Sequence, residues 1–255
     1  MKTQNWARDE LILAFYWYCT KIPFTKIKYT KPEVIELAKL IGRTPSAVAF
    51  KLVNFGRLDP QLQNRGVKGM NHGSNAEVSI WNEFHDNWND LAYESELILA
   101  KYEQKPFEEV TEIETSDLPI HGKIREALVK VRVNQAFFRK SVLLSYKSQC
   151  CVTGLTVPEL LVASHIIPWA TNIKEACNPE NGLCLNSLHD KAFDNGLLTI
   201  SDDFRIRISD KLLMRKNDEA ILKYFIPYHE RMLIKPTRFL PKQEFLEYHR
   251  TQIFK

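Results

Sequence analysis

The sequence predicts an α+β chain in two parts, a mostly helical N-terminal domain over residues 1–103 and a C-terminal domain of short strands and helices over residues 124–255. Three observations predict it. Apolar residues recur at helical spacing through the first hundred positions, with proline and glycine at the expected helix ends. The stretch 104–123 is acidic, contains Pro106 and Pro119, and lacks sustained periodicity, so it reads as a linker. Beyond it, short apolar runs at 160–167 and 182–185 alternate with turn signals and lead into a helix-like segment at 187–193.

In chain order, the first helix is expected over Asp9–Cys19, where Leu11, Ile12, Phe15, Tyr16 and Cys19 share one face. The second follows Thr30 as cap, with Pro32 in the first turn, Glu33 completing a capping box, and Gly42 after its last apolar residue Ile41. The third repeats that grammar: Thr44 caps, Pro45 opens, Val48, Leu52 and Phe55 form the apolar side, and Gly56 is expected to end it. Two short helices joined by Gly42, Arg43 and Thr44 behind a preceding helix suggest a helix-turn-helix. In that arrangement Arg43, Ser46, Lys51, Asn54 and Arg57 are the candidates to meet a DNA groove or its phosphates. Residues 57–73, with Arg65 and Lys68, are expected to form a basic loop. A helix or helix pair should occupy 76–103, with Trp81, Phe84, Trp88 and Leu91 as core.

Composition narrows the class. A chain of 255 residues with 44% hydrophobic and 26% charged side chains has material for real cores, which excludes disorder and fibrous repeats. Arg8, Asp9 and Glu10 interrupt the apolar N-terminal run, and no apolar stretch is long enough to span a bilayer, so a cytoplasmic protein with no membrane partner is expected. Five cysteines without framework spacing imply reduced thiols. Lysine and arginine outnumber acids 12 to 5 over residues 1–70, fall to 2 against 12 over 71–120, and lead again by 21 to 14 beyond. Two basic regions flanking an acidic one suit contact with a polyanion at each end.

The segment 151–208 carries the chemistry. It holds CVTG at 151–154, SHIIPW at 164–169, NGLCL at 181–185 and HDKAFDNGL at 189–197, in the order strand, loop, strand, helix. These motifs resemble the HNH nuclease family, in the branch with a CxxTG turn, an (A/S)HIxPW strand, an NGLxL strand and an HxxxFDxGL helix end. NQAFFR at 134–139 and FLEYHR at 245–250 are similar to that branch as well. The resemblance covers residues 124–255 and implies a ββα unit holding one divalent metal.

What it implies about residues follows position by position. His165 takes the general-base role, which suits an imidazole titrating near neutrality. Asn181 orients His165 or bears on the metal, and His189 is the first-choice metal ligand. Many family members place Asp or His just before the strand histidine, whereas this chain has Ser164, so Asp194, with Asp190 as the alternative, is the candidate for the missing carboxylate. The ion is expected to be Mg²⁺ or Mn²⁺. No structural zinc is expected, because Gly154 and Ser187 stand where partners of Cys151 and Cys184 would be. Trp169 is expected to pack against the helix. His72, His85, His121, His229 and His249 lack such company and read as surface or core residues.

The function expected is a restriction-type endonuclease acting on double-stranded DNA, with dependence on base modification left open and a homodimer plausible for cutting both strands. Two other readings stand beside it: a DNA-binding regulator on an inactive HNH scaffold, favoured by Ser164, and an HNH nuclease acting on RNA.

Overall fold

The structure is a computed structural model and describes residues 5–66, 75–111, 113–115, 117–119, 122–215 and 217–255. Lys68, His72 and His121 lie outside the described residues. The chain divides into two compact units, Met1–Leu144 and Ser145–Lys255.

The first unit contains α1 (Arg8–Thr20), α2 (Pro32–Leu40), α3 (Pro45–Leu58), α4 (Pro60–Asn64), α5 (Asn75–Phe84), α6 (Trp88–Glu103), α7 (Phe107–Val110) and α8 (Lys123–Ser145), whose last residue opens the second unit. The expected first helix was one-sided, but α1 is buried on every side from Glu10 to Thr20. A helix apolar all round has to be surrounded, and this one is. The Phe15 ring meets Phe55 of α3 at 4.9 Å, Trp81 of α5 at 5.3 Å and Trp88 of α6 at 5.9 Å, while Tyr16 meets Phe137 of α8 at 5.9 Å. This last contact explains why the boundary falls at 144/145 and not in the acidic stretch 104–123. The apolar face of α8 carries Phe137 and Phe138, both buried, and belongs with the aromatic cluster of the N-terminal helices.

Two details of helix ends differ from expectation. Lys31, not Thr30, occupies the cap of α2, and Pro32 at the first helical position fixes the start without a side-chain cap. Gly56 does not end α3, which runs on to Leu58. A Cβ at Gly56 would overlap the Phe24 ring, so this glycine permits close approach within the helix. Thr44 does cap α3, accepting from the Ala47 N–H at 3.2 Å, and Gly42 takes a left-handed φ of 68° at the preceding helix end.

The second unit has two antiparallel hairpins. Strand β1 (Leu161–His165) pairs with β2 (Gly182–Asn186), and β3 (Leu198–Ile200) pairs with β4 (Ile206–Ile208). Helix α9 (Ser187–Asp194) leaves β2 directly, with Asn186 as cap accepting from the His189 N–H at 2.9 Å. Short helices α10 (Asp210–Leu213), α11 (Glu219–Tyr224) and α12 (Gln243–Tyr248) complete it. The turn after α9 closes at Gly196, whose φ is 69° and whose missing Cβ makes room for the Ile253 carbonyl. His249 lies flat on Phe193 at 3.6 Å, with its ring nitrogens on Thr199 Oγ1 at 2.8 Å and the Phe193 carbonyl at 3.1 Å. Among the described residues no helix is long and apolar enough to cross a membrane.

Candidate active site

The site grows from the β1–β2 register, which sets His165 opposite Gly182 at the open end of the hairpin. The sixteen-residue excursion between the strands would be floppy without internal ties, because each residue fixed costs conformational entropy. Asn181 supplies the ties. Its amide is fully buried: Oδ1 accepts from the Ile167 N–H at 2.8 Å, while Nδ2 donates to the Ile167 carbonyl at 3.1 Å and the Glu175 carbonyl at 3.3 Å. Asn172 and Asn178 add local turns, accepting from the backbone N–H of Glu175 at 3.3 Å and of Glu180 at 2.9 Å.

The residue after Glu175 presents its carbonyl to the histidine. His165 Nε2 lies 2.9 Å from the Ala176 oxygen, which can only accept, so Nε2 carries the hydrogen and Nδ1 holds the lone pair of the neutral ring. Trp169 stands edge-on to that ring at 5.6 Å. Burial lowers the His165 pKa below the ordinary histidine value, partly opposed by the Ala176 hydrogen bond and the negative charge of Asp190. The ring is therefore neutral at physiological pH.

Asp190 therefore lies close enough to His165 to act on it. Asp194, one helical turn further along α9, shares that face and is pushed up from the usual carboxylate range by burial and by the charge of Asp190. Two like charges brought together in this way are relieved by a cation. Among the described residues no group of three or more His, Cys, Asp or Glu is arranged to hold a metal. A pair of carboxylates nonetheless suits Mg²⁺, which commonly takes one or two and completes its shell with water and phosphate oxygens.

His189 is placed elsewhere. It is buried, with Nδ1 at 2.9 Å from Asn186 Oδ1 and Nε2 at 2.9 Å from the Tyr224 carbonyl, and its ring packs near Phe225 and Tyr228. Adjacent helix positions point about 100° apart, so the side of α9 carrying His189 is not the one carrying Asp190. Both of its nitrogens face oxygen atoms, and a neutral ring can donate to only one of them. Burial lowers its pKa too, against the Tyr224 hydrogen bond. Ser164 is buried, with no partner for its hydroxyl among the described residues, and strand alternation turns it from the face of His165.

The cysteine that organises the turn is Cys150, the residue just before the CVTG motif. Its Sγ accepts from the backbone N–H of Thr153 at 3.5 Å and of Asn186 at 3.3 Å, tying the turn to the start of α9. Cys151 and Cys184 are buried beside it, and burial raises the Cys151 thiol.

With this geometry in view, residues 150–201 match the family model described as HNH endonuclease. The second unit carries an HNH domain. Among solved structures, the chain is similar to one titled "Modification dependent TagI restriction endonuclease", at 20% identity over 54% of this chain and 40% of that one, with a TM-score of 0.30. The match spans less than half of that protein, and a superposition this loose carries no argument. No curated protein matches the chain.

The residues expected to touch DNA in the first unit are distributed differently from the expectation. Lys51 and Asn54 are buried and both bond Glu77 Oε1, at 2.7 and 2.9 Å; Glu77 is itself wholly buried. Arg43 holds Glu10 through Nη2 at 2.7 Å and the Asn5 carbonyl at 2.8 Å, and lies over the Trp6 ring. Ser46 is exposed and Arg57 half-buried. The helix presents another side outward because a buried carboxylate on α5 draws Lys51 and Asn54 into the bundle.

Proposed function

We propose that this chain is a divalent-metal-dependent endonuclease that hydrolyses DNA phosphodiester bonds. The observation that carries the reading is the relay from Asn181 through the loop backbone to the Ala176 carbonyl and His165 Nε2. It holds a neutral imidazole in one tautomer, as a general base requires. In the proposed reaction a water gives its proton to His165 Nδ1, its oxygen bonds to phosphorus in line with the departing 3′ oxygen, and that P–O bond breaks. Asp190 and Asp194 would hold the cation, which when bound neutralises charge on the phosphate. Asn181 acts through backbone alone, and His189 acts as a positioning residue that pins α9 to the Tyr224 carbonyl.

The restriction-type role is supported by the pairing of an HNH unit with a separate helical unit in one chain. One such site per chain makes a homodimer the natural form for cutting both strands.

Incubation of supercoiled plasmid with wild-type protein and Mg²⁺ or Mn²⁺ tests the proposal, with EDTA and His165→Ala as controls. Cleavage that needs the ion and the histidine is expected, and an ion-independent activity retained by His165→Ala would overturn it. RNA offered alongside decides the polymer. Methylated, hydroxymethylated and unmodified DNA compared side by side decide whether modification matters. A second reading, a DNA-binding regulator on an inactive scaffold, is favoured by the buried Ser164 and the lack of a three-residue ligand group among the described residues. It predicts DNA binding with no cutting under any of these ions.

A further inference from the structure

The side of α3 that does face solvent carries a feature the nuclease reading leaves unused. Ala49, Phe50 and Val53 form one wall of a cavity of about 460 Å³, and Ile27 and Tyr29, in the segment before α2, form another. Tyr29 is 60% exposed and Phe50 54% exposed. Two large rings left in water around one cavity mark a surface meant to be covered.

The polar surroundings say by what. Lys28, Thr30 and Ser46 complete the lining, and among the described residues no carboxylate contributes to it. Lys26 and Lys28 are exposed and Lys31 half-buried, and the sequence has no acidic residue between Glu10 and Glu33. An apolar side chain of a protein partner would use the rings but gain nothing from the lysines. A nucleotide uses both, since every base has a π face and every linkage a negative charge.

We propose that this cavity receives a nucleobase turned out of the DNA stack, its ring against Tyr29 and Phe50 and its flanking phosphates near Lys26 and Lys28. The proposal rests on DNA being the ligand of the chain. It gives the N-terminal unit a base-reading pocket in place of the groove contacts expected from Lys51 and Asn54. Extrusion is easiest at a mismatched pair, which makes a mismatched duplex the sensitive probe.

The test uses the full chain in a His165→Ala background, so that DNA stays intact, with binding followed by fluorescence anisotropy on matched and mismatched duplexes. Phe50→Ala and Tyr29→Ala should each weaken binding to the mismatched duplex about tenfold and to the matched duplex by less than about twofold. Phe50→Trp should retain affinity. A 5-iodouracil at the mismatch should cross-link on irradiation to Tyr29 or Phe50, identified by mass spectrometry. Both side chains are more than half exposed, and an unchanged Tm checks that the alanine variants fold.

Equal affinity of parent and alanine variants for both duplexes, with cross-links elsewhere, would overturn the proposal. So would a shift from dimer to monomer in Phe50→Ala with DNA affinity intact, which would make the surface an interface between copies. Either result leaves metal-dependent cleavage by the wild-type chain untouched. Conversely, cross-linking at Tyr29 or Phe50 in a chain that never cuts would uphold the pocket and remove the nuclease.

Discussion

The two units use buried polar side chains for opposite ends. In the first, Lys51 and Asn54 both bond Glu77, charge cancels inside the bundle, and the carboxylate is closed off from solvent. In the second, Asn181 is buried as completely, yet its amide serves the backbone of a loop that terminates on a half-buried imidazole. A buried polar group answered by other side chains fixes a fold. One answered by a backbone loop leading to a titratable ring at the surface builds a site.

Substitution at either group separates the two roles, and the largest effect is expected at the imidazole. His165→Ala should lower single-turnover plasmid cleavage by roughly 10²–10⁴-fold with Tm unchanged, because the ring is only half-buried. Asn181→Ala should lose a comparable factor and also stability, since the Ile167 N–H and two carbonyls lose their partner. Urea denaturation showing Asn181→Ala as stable and as active as wild type would remove the relay.

Next comes the closed group. Glu77→Ala leaves the Lys51 ammonium buried without its carboxylate and should cost the N-terminal unit about 3–5 kcal/mol in urea unfolding. If Lys51→Ala instead left stability intact and weakened DNA binding, the reading of α3 as turned inward would be wrong.

A third effect depends on pH. Burial depresses the His249 pKa from 6.5 to about 4, with smaller opposing help from the Phe193 carbonyl and a further push down from Arg250. The unfolded chain therefore binds a proton that the folded chain refuses between these values. This stability is complete above pH 6.5 and is lost as pH falls towards 4, by up to about 3 kcal/mol. His249→Phe keeps a ring over Phe193 and should flatten that acid limb while lowering Tm at pH 7. The smallest effect is at Arg43, whose largely buried partner Glu10 still accepts from the Ala7 N–H when the guanidinium is removed. Arg43→Ala should cost about 2 kcal/mol, with DNA affinity unchanged.

The HNH motif and the helix punctuation were legible in the sequence for definite reasons. The strands, α9 and the order His165, Asn181 lie in a contiguous segment where spacing along the chain fixes geometry, and proline and glycine mark helix ends by backbone restriction alone. What spacing could not convey was direction about a helix. Lys51 and Asn54 look like an outward polar face until Glu77, 26 and 23 residues away, supplies a buried acceptor. His189 and Asp190 are neighbours in sequence, but only the structure tells which of them shares a side with His165. The pocket around Tyr29 and Phe50 was invisible for the same reason: it joins a loop to the outer face of a helix.

The pH dependence of single-turnover plasmid cleavage at saturating Mg²⁺ isolates the proton on His165. The rate should rise with loss of one proton at a midpoint below 6.5, the ordinary histidine value, because burial favours the neutral ring of His165. His165→Ala should lack that limb. A rate that climbs through the same limb in the variant as in the wild type would contradict the assignment of His165 as the base.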